Sequence, residues 1–181
     1  MILKKYLAIN PEDLGFRTSF LGFEEAPKNI VQVPNQVIDA QNGSHIIPTQ
    51  YLPVHVFHAY ERLNTTMQID INKRVLVLYG YRSPARQAFI FFDILERIYD
   101  FDFKKTIRRV CFPSYSEHVC SQRQAIDFTT AIEGRSEDFG KTQEYEWLKK
   151  NASTFGFYES YPKNNVFDMM YEPWHWHYEA S

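Results

Sequence analysis

The chain has 181 residues, and its 20 Lys and Arg against 22 Asp and Glu leave a formal charge of −2. At 44% apolar and 17% aromatic, it has the composition of one packed domain and not of a disordered chain. So balanced a charge excludes the clustered positive footprint of sequence-independent nucleic-acid binding, and no apolar run reaches the roughly 18 to 20 residues that cross a bilayer.

In chain order, Met1 to Ile9 starts basic and apolar, but Asn10, Pro11, Glu12 and Asp13 interrupt it before an apolar region can form, so no signal peptide is expected there. Residues 1 to about 50 read as an irregular segment, punctuated by Pro11, Pro27, Pro34 and Pro48 and by the turn signal Asn42-Gly43-Ser44, that wraps the domain or adds an edge strand. A helix is expected after Pro53, with Val54, Phe57, Leu63 and Met67 as its apolar face. Arg74 to Tyr79 is a β-branched and aromatic run ending at Gly80, which reads as a buried strand. Ser83 and Pro84 then cap and open a helix through Phe89, Phe92 and Leu95 to about Tyr99. Gln124 to Phe128 reads as a strand, and Thr142 to about Lys150 as a helix stopped before Gly156. Glu172 to Tyr178 alternates Trp174, Trp176 and Tyr178, the pattern of a strand with one aromatic face. Strands and helices are mixed without a repeated strand–helix–strand unit, so the fold class is α+β.

A catalytic zinc needs three protein ligands, commonly His and carboxylate, and a nearby acid that leaves the metal alone and takes a proton from water. His118 in Ser116-Glu117-His118, Asp127 in Ala125-Ile126-Asp127 and His175 in Glu172-Pro173-Trp174-His175 can supply the ligands, and Glu172 the base. On an ideal strand Glu172 and His175 would face opposite ways; Pro173 predicts an irregular strand entrance that brings them together. Equally, these are the residues of a loop histidine, a capping aspartate and a histidine in an aromatic cluster. Gly80-Tyr81-Arg82-Ser83 follows a strand end, where a guanidinium can grip a carboxylate through two parallel hydrogen bonds or simply sit solvated at a helix entrance.

Together these segments resemble the D-alanyl-D-alanine carboxypeptidase family of the VanY and LdcB type, bacterial zinc peptidases of peptidoglycan. The matching pieces are Gly80-Tyr-Arg-Ser83 with Gln87, Ser116-Glu-His118 with Ala125-Ile-Asp127, and Glu172-Pro-Trp-His175, in the family's order. The resemblance implies a small, mostly antiparallel sheet packed with helices and a Zn2+ site in a cleft, a shape shared by D,D-peptidases and Hedgehog domains. It implies His118, Asp127 and His175 as metal ligands and Glu172 as catalytic base. It further implies Arg82 on the substrate's terminal carboxylate, Gln87 and Ser116 as lesser pocket residues, and His177 outside the ligand set. Residues 51–181 would form the catalytic domain. The substrate would be the C-terminal bond of a peptidoglycan stem peptide, in the cell envelope or outside the cell, with the cytoplasm left open. One departure stands out: the family runs from His to Asp in seven steps with a Gly, whereas nine separate His118 from Asp127 here and Val119 to Gln124 contain none.

Competing expectations are a D,D-dipeptidase, an L,D-carboxypeptidase, a stem-peptide endopeptidase, and a catalytically silent module that binds cell-wall peptide. Cys111 and Cys120, the only cysteines, either close a short loop or remain thiols, with Cys120 a remote metal-ligand candidate. His55 and His58, three apart on the first helix, read as packing residues.

Overall fold

The computed structural model describes residues 27–34, 36–40, 43–112, 115–132 and 137–180; the expectations for Met1 to Asp13 and for Asn42 lie outside them. Strands β1 (Ile30–Gln32), β2 (Val37–Ala40), β3 (Gly43–Ile46) and β4 (Tyr51–Pro53) form two antiparallel pairs, β1 with β4 and β2 with β3. The stretch before residue 50 therefore carries more strand than its prolines imply, because Ile38 and Ile47 are buried in a small cluster with Leu76.

Helix α1 (Val54–Ile71) follows directly and ends at Asn72, whose φ of 54° is the left-handed conformation that stops a helix. Its buried face is Val56, Ala59, Tyr60, Leu63, Asn64 and Met67, rotated from the expected one so that Val54 and Phe57 are only partly covered. Asn64 can be buried because its side chain both donates to the Val75 carbonyl and accepts from the Val75 N–H, each at 2.9 Å.

Strand β5 (Val75–Tyr79) leads through Gly80 to helix α2 (Pro84–Arg97), capped as its sequence predicts by the Ser83 hydroxyl accepting from the Arg86 N–H at 3.2 Å. The buried face of α2 is Gln87, Phe91 and Leu95, which packs on Ile107 and Val110, while Phe89 and Phe92 are exposed. Helix α3 (Phe103–Arg109) was not expected; four of its seven residues are Lys or Arg, and Asp102 caps it. A single 3₁₀ turn, Glu117–Val119, precedes β6 (Ala125–Thr130). Helix α4 (Gln143–Asn151) starts at the Thr142 cap, and Gly156 (φ 82°) turns the chain into β7 (Phe157–Glu159). The last strand, β8 (His175–Tyr178), is shorter than the run read from the sequence: Glu172 to Trp174 lie outside it.

The main sheet runs β5–β6–β8–β7, with every pair antiparallel. Because side chains alternate across a strand, one face presents Val75, Val77, Ile126, Phe128, Phe157 and Trp176 to α1 and α4, making the main core. On the opposite face Asp127 stands beside His175 and Ala125 beside His177. Among the described residues no helix is long and apolar enough to cross a membrane.

Candidate metal centre and substrate cleft

His118 is held by the end of β5. Its Nδ1 lies 2.9 Å from the Gly80 carbonyl, which can only accept, so Nδ1 carries the proton and Nε2 presents its lone pair. Gly80 is required here, since a Cβ would collide with the Tyr51 carbonyl. The Arg82 N–H donates to the His118 carbonyl at 2.8 Å, so this strand end and the 3₁₀ turn are stitched together.

His118 Nε2 is 3.4 Å from Asp127 Oδ1, and His175 Nδ1 is 2.9 Å from the same oxygen. One ligand atom from each of His118, Asp127 and His175 lies within 4.8 Å of the others, and all three residues are buried. The two imidazoles meet nearly edge to face, 4.9 Å between centroids. Glu172 joins them through a turn: the His175 N–H donates to the Glu172 carbonyl at 3.0 Å across Pro173 and Trp174, with proline at the turn position its fixed φ favours. That turn solves the facing problem and places Glu172 Oε2 3.8 Å from His175 Nδ1.

A cavity of about 100 Å³ opens onto these groups, lined among others by Arg82, Gln87, Arg109, Ser116 and Glu172. Arg82 Nη1 donates to Gln87 Oε1 at 2.7 Å, and Gln87 Nε2 donates to the Cys111 carbonyl at 2.7 Å, so a buried amide aims the guanidinium. Arg109 approaches Glu172 at 4.0 Å.

The electrostatics are those of a cation site. Burial alone would raise the Asp127 carboxyl, yet the charged His175 ring that donates to its Oδ1 holds it well below the usual carboxylate range. Burial pushes His118 down to about 4, so it is neutral. Burial would also lower His175, but carboxylates on both ring nitrogens, Asp127 at Nδ1 and Glu117 at Nε2, raise it to about 10. Both ring nitrogens of His175 thus face carboxylates, Nδ1 on the side of Asp127 and His118.

The donor set fits zinc. Two imidazole nitrogens and a carboxylate are a catalytic-zinc set, and ligand atoms about 2.0–2.2 Å from a tetrahedral ion stand roughly 3.4 Å apart, close to the 2.9 and 3.4 Å that separate Asp127 Oδ1 from the two imidazoles, with all three atoms within 4.8 Å. Both imidazoles have an acceptor on the nitrogen facing away from the centre, the Gly80 carbonyl and Glu117. The structure brings together the residues that the resemblance assigned to the site: His118, Asp127, His175 and Glu172 at the candidate metal centre, with Arg82, Gln87 and Ser116 along the same cleft. His177, Cys120, His55 and His58 do not join the ligand group found among the described residues, and Cys111 and Cys120 are not joined by a disulfide. Reading the sequence missed Glu117, which is buried and accepts from His175, and Tyr161, whose ring lies 4.8 Å from that of His175. The only signal for Glu117 was its place directly before the candidate ligand His118.

Comparison with known proteins gives a consistent result. Residues 49–181 match the family model described as VanY, D-alanyl-D-alanine carboxypeptidase. YodJ of Bacillus subtilis (strain 168), named as a carboxypeptidase, is 35% identical over 103 residues, which are 55% of this chain; the chain spans about a third (36%) of that relative's length. Among solved structures, the LdcB LD-carboxypeptidase is 25% identical with a TM-score of 0.68, covering 87% of this chain and 71% of the other. VanYB in complex with D-alanine-D-alanine superposes at a TM-score of 0.62 with 20% identity, covering 91% of this chain and 83% of its own. A point mutant of the vancomycin-resistance D,D-pentapeptidase VanY in complex with Zn(II) gives 0.58 with 22% identity, covering 80% and 79%.

Proposed function

Since this chain belongs to the VanY family of D-alanyl-D-alanine carboxypeptidases, we propose that it is a zinc metallocarboxypeptidase that removes the C-terminal residue of peptidoglycan stem peptides. The observation that carries the reading is the convergence of His118, Asp127 and His175 within 4.8 Å, with the Glu172 carboxylate 3.8 Å from His175 and outside the ligand set. The catalytic unit runs from about residue 51 to 181, and among the described residues before it Ile30–Gln32 pairs with it through β4. A peptidoglycan substrate favours a site of action in the cell envelope or outside the cell.

Bound zinc supplies a Lewis acid for the scissile carbonyl and lowers the pKa of a water toward neutrality. Glu172 accepts the proton of the attacking water on a carboxylate oxygen and later delivers it to the leaving amine. Arg82, aimed by Gln87, grips the terminal carboxylate, which fixes the cut at the last peptide bond. Ser116 and Gln87 wall the pocket that receives the last residue. A catalytically silent binding module needs no proton carrier, and the retention of Glu172 beside the ligands disfavours it.

The likeness to an LD-carboxypeptidase at 25% identity supports a second reading, in which the residue before the cut is of L rather than D configuration. Zinc-loaded protein incubated with defined stem peptides and read by mass spectrometry decides between them. Loss of one terminal residue from peptides ending in D-Ala-D-Ala supports the first reading. Loss only from peptides with an L residue before the terminal D-Ala supports the second. Release of a dipeptide, an internal cut, or no cleavage of either set overturns both.

A further inference from the structure

Glu117 lies behind the ligand His175, on the side away from the cleft. Its Oε2 is 3.0 Å from His175 Nε2 and 2.6 Å from Ser160 Oγ, while its Oε1 receives the Arg123 Nε–H at 2.7 Å. Ser160 Oγ is also 2.7 Å from His177 Nδ1.

Counting protons fixes every direction in this network. An ionised carboxylate only accepts, so the single Ser160 proton goes to Glu117 and His177 Nδ1–H must donate to the hydroxyl. By the same rule His175 Nε2 carries a proton toward Glu117, which leaves Nδ1, the nitrogen facing Asp127 and His118, as the ligating atom. Glu117 is a buried charge, and such a charge is costly unless it is paired and hydrogen-bonded. Arg123 supplies the pairing. It belongs to the loop joining His118 to β6, is partly exposed, and on its outer side pairs with Glu179.

We propose that Glu117 and Arg123 act as one positioning unit: the carboxylate locks His175 in the form that offers Nδ1 to a metal, and the guanidinium on the ligand loop holds that carboxylate in place. This rests on the metal site of the proposed function. Neither residue touches substrate or the reacting atoms, so the unit acts on how tightly the metal is held and how the ring is set.

The test is a zinc affinity measured by competition with a coloured chelator on the intact chain, with folding checked by circular dichroism. Loss of the group that holds a ligating histidine from behind lowers metal affinity roughly 10- to 100-fold. Glu117→Gln is expected to fall in that range. Arg123→Met is expected to weaken zinc by about tenfold and Arg123→Lys by less, since charge is kept while the fork geometry is lost. The double variant is expected to be no weaker than Glu117→Gln, as for residues acting in one network. Glu179→Gln, which alters the outer partner of Arg123 and the 3.4 Å approach to His177 Nε2 but leaves the Glu117 contacts in place, is expected to weaken zinc less than Arg123→Met. A ring ¹⁵N–¹H spectrum of the zinc-loaded protein supplies a readout that a purely structural role would not move: the His175 proton is expected on Nε2 in the parent and to exchange faster with solvent in Arg123→Met. Parent-like zinc affinity in folded Glu117→Gln and Arg123→Met overturns the proposal while leaving the metal site standing. A parent that binds no zinc overturns the proposal together with the reading beneath it.

Discussion

Along β8, His175 and His177 turn to one side of the main sheet while Trp176 and Tyr178 turn to the other, and the two sides are held by different physics. On the core side Trp176 packs with Phe128, Phe157 and Trp147, where the driving force is apolar area removed from water, non-directional and tolerant of neighbours of similar volume. On the other side every imidazole nitrogen of His118 and His175 lies against a named partner at 2.9 to 3.4 Å, and a shift of about an ångström would undo the arrangement. The dry face fixes where the strand lies; the polar face decides what that position can do. A period of two lets four residues serve both, and it implies that stability and chemistry can be broken separately.

The most severe break of the polar face is Asp127→Ala. It removes the oxygen shared by both histidines, and zinc content after gel filtration is expected to drop from about one per chain to trace, with the fold retained. Stoichiometric zinc in that variant would count against Asp127 as a ligand. Glu172→Gln cuts one layer further out: zinc is expected to stay, while turnover falls roughly 10²- to 10⁴-fold, the loss that follows removal of a positioned proton carrier. Retained turnover in a clean preparation would move the base elsewhere.

The mirror-image break is Trp176→Ala on the core side. The indole is buried, with its N–H on the Pro173 carbonyl at 2.8 Å, and truncation of such a side chain costs about 3 to 5 kcal/mol. Urea unfolding is expected to show that loss, with zinc per folded chain unchanged. A variant that keeps its stability but loses zinc would mean the two faces are not separable. Arg82→Ala is a milder change. It is expected to cost roughly 1.5 to 3 kcal/mol, the range for hydrogen bonds to charged groups, in kcat/KM on peptides with a free C-terminus and nothing on amidated ones; equal losses on both would reject the clamp.

How much of this was legible in the sequence follows the same division. The aromatic alternation of β8 and the Ser83 and Thr142 caps are local patterns, and local patterns survive folding. The candidate ligands were legible because three segments in order resemble the VanY family; residue type alone left a loop histidine, a capping aspartate and an aromatic-cluster histidine equally open. What escaped depends on contacts the chain order hides. Glu117 meets His175 across 58 residues, and the group that accepts from His118 is a backbone carbonyl with no letter of its own. The face of α1 was misjudged because small Ala59 and polar Asn64 are buried, the second only because Val75 satisfies its amide. Helix α3 hid behind its basic residues, which an apolar-period argument does not count.

Cys111 marks the border between the two faces and gives the finest test of it. It lines the cleft, yet it is buried like a core residue, with its Sγ 3.3 Å from the Tyr161 hydroxyl, and burial pushes its thiol up to about 12. An unfolded thiol titrates near about 8.5. Its folded pKa lies above the unfolded one, so its contribution to stability is whole below about 8.5 and drains away as pH rises toward about 12, at about 1.4 kcal/mol per pH unit between the two. Urea midpoints at pH 8 and pH 10 are expected to fall further apart in the parent than in Cys111→Ala, and iodoacetamide at pH 8 is expected to modify Cys111 only after unfolding. Parallel pH dependences, or rapid modification of the folded chain, would mean that water reaches this thiol and that the dry region ends before the cleft begins.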